Sequence, residues 1–292
     1  NAYTADRFKV NYDGTIGVFQ ILRQAFTQGQ TDVPGNPKYF LRWSHTAPGS
    51  GSTQRLLHQP IESVYTFSGK TCAVSFMAKA DAARTLGVGF YQSFGTGGSP
   101  STGVTVTQQN VSLTTAWQRF NLTFNIPSIS GKTLGANNDD YVDLIFYLPL
   151  NTNMTIDFAN IIAVEGEAAP DFELAGGSEP GELRLCQRFY EKSYHLGTFP
   201  GAPDATGMWS YTGIPAGGAH RITSPFKERK RAAPVVTIYN PINGATNSVA
   251  RDVSGNVTPS FSIGNETHWG YEVSTGAGDP RLYAQFSAEA EL

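Results

Sequence analysis

The chain has 292 residues, 40 % hydrophobic and only 15 % charged, with a formal net charge of −3. That length holds one large domain or two ordinary ones with a real core, and the charge lacks the basic excess of most nucleic-acid binders. No apolar run approaches the roughly 20 residues of a membrane-spanning helix, and polarity comes instead from Thr, Ser, Asn, Gln and 31 Gly, which with 17 Pro suits short strands joined by turns.

In chain order, "TIGVFQILRQAF" (residues 15–26) reads as either a strand or a short helix. Trp43 continues the face begun by Tyr39 and Leu41, which places it in the core. "TCAVSFMAKA" alternates Cys72, Val74, Phe76 and Ala78 against Ala73, Ser75, Met77 and Lys79, the period of a strand. "TLGVGFYQSF" and "GVTVTQQNVSL" read as strands parted by the loop "GTGGSPST". "QRFNLTFNI", "YVDLIFYLPL" and "MTIDFANIIAVEG" complete a first set, and strands spaced this closely predict a β-sandwich over residues 1–165.

Residues 166–181, "GEAAPDFELAGGSEPG", show no periodicity and read as a linker. In "ELRLCQRFYEKSY" (residues 182–194), Leu185, Cys186, Phe189 and Tyr190 fall on one face at helical spacing, so a short helix is expected to open a second domain. Strand patterns then recur in "GMWSYTGI", "APVVTIYN", "TPSFSIG", "HWGYEVS" and "RLYAQFSAEAEL", predicting a second β-sandwich over 182–292. The fold class expected is all-β, with two jelly-roll-like sandwiches joined by a linker and a short helix.

Motifs of nucleophilic hydrolases, zinc proteases, P-loops and dinucleotide sites are absent. Cys72 and Cys186 lie far apart in sequence, which argues against a disulfide framework and a Cys-based zinc site. Asp139, Asp140 and Asp143 cluster in "NNDDYVD", read as a solvated turn with Asp143 outward on a strand. The oxygens of Asn138, Asp139 and Asp140, with Asp157 from a later strand, also make a candidate calcium set, although the spacing of a self-contained calcium loop is missing. No cofactor is otherwise required.

Sugar sites combine an aromatic platform with a few placed polar groups. Candidates in the first domain are Phe94, Tyr91, Trp43 and Tyr147, with Arg42, Gln92 and Asn151 as polar neighbours in sequence. In the second domain they are Trp209, Tyr211, His268, Trp269 and Tyr271, one member of each aromatic pair being expected to face outward. The run "KERKR", Lys227 to Arg231, reads as a solvated strand entry.

Several phrases in order resemble phage and prophage tail-fibre proteins: "YTADRF", "FSGKTCAVSFMAKA", "TTAWQRFNLTFNIPSISGKT", "DDYVDLIFYLPL", "IIAVEGEAAPDFE" and "LCQRFYEKSY". "FKERKRAAPVVTIYN" and "FSAEAEL" resemble fibre-tip phrases. The resemblance implies a carbohydrate-binding, galactose-binding-like jelly roll followed by a fibre tip, and a core role for Trp117. It further implies a non-enzymatic virion protein, on a tail or head fibre, that binds bacterial surface polysaccharide and other virion proteins. It implies a homotrimer, for which Leu185, Cys186, Phe189 and Tyr190 are the candidate interface. Relatives also carry a segment before "YTADRF", so the first sandwich is expected to lack a strand. A capsid decoration protein and a polysaccharide depolymerase are the alternatives.

Overall fold

A computed structural model describes residues 2–3, 8–195, 197–214, 217–251, 256–259, 261–274 and 279–290. Most of the "YTADRF" phrase, residues 4–7, lies outside the described residues. The chain divides into two units, residues 1–173 and 174–291. Among the described residues no helix is long and apolar enough to cross a membrane.

Among the described residues of the first unit, eleven strands form two antiparallel sheets. One has the order β1-β2-β5-β10-β7-β8, from Ala2–Tyr3, Lys9–Tyr12, Arg55–Glu62, Tyr141–Tyr147, Arg84–Ser93 and Val104–Leu113. The other has the order β3-β4-β11-β6-β9, from Val18–Ala25, Tyr39–Ala47, Met154–Glu165, Thr71–Ala80 and Gln118–Asn125. The ambiguous run is thus a strand, β3, whose Ile21 stands opposite Trp43 of β4. Neighbouring strands carry the backbone hydrogen bonds that a helix would have supplied internally.

The period-two pattern sets which face is buried. Cys72, Val74, Phe76 and Ala78 of β6 meet Leu86, Val88 and Phe90 of β7 and Val142, Leu144 and Phe146 of β10 in one core. Trp43 is fully buried there and stacks on Phe19 with ring centroids 5.2 Å apart. Burial pushes the Cys72 thiol up to about 12, so it behaves as a small apolar side chain. Trp117 lies elsewhere, with Phe26, Phe40, Val33 and Met77 in a second cluster. Met77 faces opposite to Val74 and Phe76 along β6, so this cluster covers the outer side of the five-stranded sheet.

The residues after β11 are not a loose tether. Arg119 of β9 binds Asp171 at 2.6 Å and donates to the carbonyls of Ala169 and Pro170, and the Thr123 hydroxyl donates to the Glu167 carbonyl. Residues 167–171 are therefore docked on the first sandwich, and the division into units falls after Glu173.

The second unit opens with α1, Glu179–Gln187. Ser178 caps it by accepting from the Gly181 amide at 3.2 Å, with Pro180 in the first turn where a missing N–H costs nothing. The helix starts earlier than expected and ends at Gln187. Tyr190 belongs to β12, Tyr190–Lys192, and Phe189 is buried in the unit's own packing. Leu185, Cys186, Phe189 and Tyr190 therefore do not form one helical face, because the chain leaves the helix between the second and third of them. Leu185 remains 43 % exposed and Cys186 half-buried.

Strands β13 (Trp209–Ile214), β15 (Val235–Tyr239) and β16 (Val249–Arg251) join β12 around β20 (Asp279–Glu289), with β17 (Asn256–Val257) beyond β16. A second sheet has the order β14-β19-β18, from Ala219–Pro225, His268–Ser274 and Phe261–Gly264. Trp269, Tyr271 and Val273 of β19 pack with Leu282, Ala284, Phe286 and Ala288 of β20 and with Ile238. The Trp269 ring stacks 4.1 Å from Phe286.

Candidate functional site: the outer face of the six-stranded sheet

Strand register decides which side chains share the outer face of the six-stranded sheet. Tyr141, Asp143, Ile145 and Tyr147 alternate along β10 with the core residues Val142, Leu144 and Phe146. Opposite them stand Ser93, Tyr91, Gly89 and Gly87 of β7 on one side. Glu62, Pro60, His58 and Leu56 of β5 stand on the other. Lys9 of β2 stands opposite His58, and Thr105 and Asn110 of β8 stand opposite Tyr91 and Gly87.

Two glycines shape the middle of this face. A Cβ at Gly87 would lie 3.1 Å from Cβ of Tyr147, and one at Gly89 would lie 3.3 Å from its ring. Gln108 lies 3.0 Å from the first of these positions through its amide nitrogen and 3.3 Å from the second through its Cα, and it donates to Asn110 at 3.0 Å. Glycine is thus what lets the Tyr147 ring and the Gln108 amide settle onto the strand.

At the centre sit two buried polar groups. His58 Nδ1 and Asp143 Oδ2 are 2.7 Å apart, and both side chains are buried. His58 Nε2 and Asp143 Oδ1 have no hydrogen-bond partner among the described residues. Burial holds the Asp143 carboxyl above the usual aspartate range, while the hydrogen bond from His58 pulls it back part of the way. The half-buried Tyr141 and Tyr147 phenols are also pushed up, first by burial and then by the Asp143 charge. Ser93 bonds the Tyr141 hydroxyl and acts in the opposite direction.

The face therefore offers three half-buried tyrosines, 91, 141 and 147, around a desolvated His–Asp pair, with exposed amides of Gln108 and Asn110 at one side. Flat apolar rings beside short, fixed donors and acceptors can hold a ligand that is itself apolar on one side and hydroxylated at its edges.

Of the sequence candidates, this surface gathers Tyr91 and Tyr147. Phe94 is only 2 % exposed, so it is no platform, and the Lys132 ammonium lies 5.7 Å from its ring. Trp43 is core. Their polar neighbours in sequence are structural as well. Arg42 makes a bidentate pair with Asp157 at 2.7 and 2.8 Å. Gln92 is buried and donates to the Pro127 carbonyl, and Asn151 exchanges two bonds with the Ser52 backbone. Sequence reasoning missed His58, Tyr141 and Gln108. The signal for Tyr141 was its place in the same alternation as Tyr147, three strand periods away.

The calcium set does not assemble at one place. Asp157 lies on the outer side of the five-stranded sheet with Arg42 and, at 3.8 Å, Lys79. Asp139 accepts from the Thr96 amide and hydroxyl, and Asp140 accepts from the Val64 amide at 2.8 Å. Asn138 turns the chain with a left-handed φ of 53°. Among the described residues no group of three or more His, Cys, Asp or Glu side chains is placed to hold a metal ion.

In the second unit the aromatic pairs sort by strand rather than within each pair. Trp209 and Tyr211 of β13 are 46 % and 49 % exposed, whereas Trp269 and Tyr271 of β19 are both buried. Residues two apart on a strand share a face, so the expectation of one outward member per pair could not hold. His268 is exposed and bonds the Thr267 hydroxyl at 2.9 Å.

No family model matches this chain, and no curated protein matches it. Solved structures do. A CBM4 module is similar at 25 % identity over 46 % of this chain and 74 % of that one, with a TM-score of 0.33. The family 11 carbohydrate-binding module from Clostridium thermocellum, in complex with a mixed-linked tetrasaccharide, is similar at 11 % identity. That match covers 56 % of this chain and 91 % of that one at a TM-score of 0.36. The enzymatically active domain of tailspike protein 4 from bacteriophage CBA120 is similar at 14 % identity, with a TM-score of 0.38. It covers 55 % of this chain and 20 % of that one.

Proposed function

We propose that the first unit binds a glycan on the outer face of its six-stranded sheet, and that the protein is a non-enzymatic receptor-binding fibre of a phage virion. The observation that carries the binding reading is the setting of Tyr91, Tyr141 and Tyr147 around the buried His58–Asp143 pair. A pyranose places its C–H face on a tyrosine ring while its hydroxyls bond the phenols and the Gln108 and Asn110 amides. The His58–Asp143 pair gives the face a polar centre, and the Asp143 charge is felt by the phenols of Tyr141 and Tyr147.

The fibre reading rests on the tail-fibre phrases of the sequence. They support a bacterial surface polysaccharide as ligand, other virion proteins as attachment partners and a homotrimer as the assembled form. Three copies of a weak site give avidity without any new contact.

Binding to purified bacterial surface polysaccharides, by glycan array and by affinity electrophoresis, tests the reading. Retention of the wild-type chain and loss of retention in Tyr91→Ala and Tyr147→Ala are expected. Release of new reducing ends from the same polysaccharides would contradict the non-enzymatic part, and a monomer in light scattering would contradict the trimer.

A further inference from the structure

The second unit contains a cavity of about 460 Å³, within the range of roughly 300–1,000 Å³ of ligand pockets. Two segments build it. The last turn of α1 and the residue after it give Arg184, Leu185 and Arg188, and the chain following β14 gives Glu228, Arg229, Lys230 and Arg231. Five cations thus line the cavity with one carboxylate, in a chain whose formal charge is −3.

Of the "KERKR" run, Lys227 and Arg229 are exposed as a solvated strand entry requires, but Lys230 is not. Lys230 is fully buried and bonds Glu191 at 2.7 Å, the Gln187 carbonyl at 2.5 Å and the Glu228 carbonyl at 3.1 Å. It fastens the basic loop to the end of the helix, and the Arg231 amide adds a bond to the Arg188 carbonyl at 2.9 Å. Arg231 Nε donates to the Ala290 carbonyl at 3.2 Å and the Arg188 guanidinium lies 5.3 Å from the Phe189 ring, while Arg184 and Arg229 are exposed on this braced backbone. The helix carbonyl end accounts for cations at Arg184 and Arg188, but not for Arg229 and Arg231 on the facing loop.

Arg184 is 75 % exposed and lies 3.5 Å from Glu228, an exposed pair that an incoming oxyanion can replace at little cost. Exposed Leu185 adds an apolar contact at the same rim. No aromatic ring lines the cavity among the described residues, so nothing there stacks a nucleobase. A guanidinium fork matches carboxylate or phosphate oxygens in pairs.

We infer that this cavity binds the oxyanion of an acidic glycan, either a uronic-acid carboxylate or a glycan phosphate ester, with Leu185 against the sugar ring. The inference stands apart from the tyrosine face of the first unit.

Polygalacturonate, phosphomannan and neutral dextran are the probes, used with the full chain in affinity electrophoresis. Binding of one or both acidic polymers, absence of dextran binding and weakening between about 50 and about 300 mM salt are expected. Which polymer binds more tightly separates carboxylate from phosphate. Arg184→Gln and Arg229→Gln should each weaken binding about fivefold, and together about twenty-fold. Lys227→Gln removes the same charge from an exposed residue outside the cavity and should change binding less than twofold, and Tyr91→Ala should leave it unchanged. Failure of both acidic polymers to bind would overturn the inference. So would an equal loss in Lys227→Gln, or equal binding of poly-glutamate.

Discussion

His58 Nδ1 and Asp143 Oδ2 meet at 2.7 Å on the outer face of the six-stranded sheet, both side chains buried although neither belongs to the sandwich core. A buried ionisable pair outside the core marks a place where the sequence is not simply maximising stability, since such pairs contribute little or nothing net.

The pair sets a pH dependence. Burial raises the Asp143 carboxyl above its ordinary value, so the folded state binds that proton more tightly than the unfolded state does. The stabilisation this supplies is fully present below the ordinary value of about 4 and is lost as pH rises through the raised value. Asp143→Asn removes the titration at nearly constant size. The Tm of the variant relative to wild type should rise across that window in scanning fluorimetry. A difference that stays flat or falls would contradict it.

Gly89 tests the floor of the face. Gly89→Val places methyl groups where the Tyr147 ring and the Gln108 backbone lie 3.3 Å from the new Cβ. Gly89 lies where the register between β7 and β8 shifts, but its φ is not in the left-handed region, so the cost in stability should be about 1 kcal/mol. Glycan retention in affinity electrophoresis should fall at least about fivefold because the ring must move off its seat. Unchanged retention would remove Tyr147 from the site.

Trp43 provides the contrasting case. It is fully buried against Phe19, and Trp43→Ala should cost about 3–5 kcal/mol in urea unfolding. The fraction that remains folded should bind glycan with unchanged affinity. A selective loss of binding with little loss of stability would return Trp43 to the list of ligand contacts.

Lys230 and Glu191 are a buried pair in the second unit, with side chains 0 % and 3 % exposed. Lys230→Met alone leaves Glu191 buried without its ammonium and should destabilise the unit by about 3–5 kcal/mol in urea unfolding. Adding Glu191→Leu should recover much of that loss, because desolvating two charges costs about as much as their attraction returns. Loss that is additive in the double variant would show that the two residues act independently.

Period-two alternation made β6 and β9 legible, and β7, β10 and β11 follow runs read as strands between turns. The alternation put Cys72, Val74, Phe76 and Ala78 on one face, and that face is the one packed in the core. Two things were not legible. The end of α1 depends on where β20 offers a partner to Tyr190, a contact about a hundred residues away in sequence, and helical spacing carries no trace of it. The candidate site depends on register between β5, β7 and β10. Asp143 could be read as outward, but only the pairing of Ile145 with His58 shows that the histidine reaches it. Phe94 misled for a related reason. A loop rich in Gly and Ser looks solvated, yet the Gly135 amide bonds the Phe94 carbonyl at 2.7 Å and ties the ring's backbone to the neighbouring loop.

The central claim is that the tyrosines of the six-stranded sheet hold a glycan. The most direct measurement is affinity electrophoresis of the full chain through bacterial surface polysaccharide, comparing wild type with Tyr91→Phe, Tyr91→Ala and Tyr147→Ala at matched folded fraction. The account predicts that Tyr91→Phe keeps most of the retention, while each alanine variant loses about tenfold. Retention that is the same in all four proteins would contradict it.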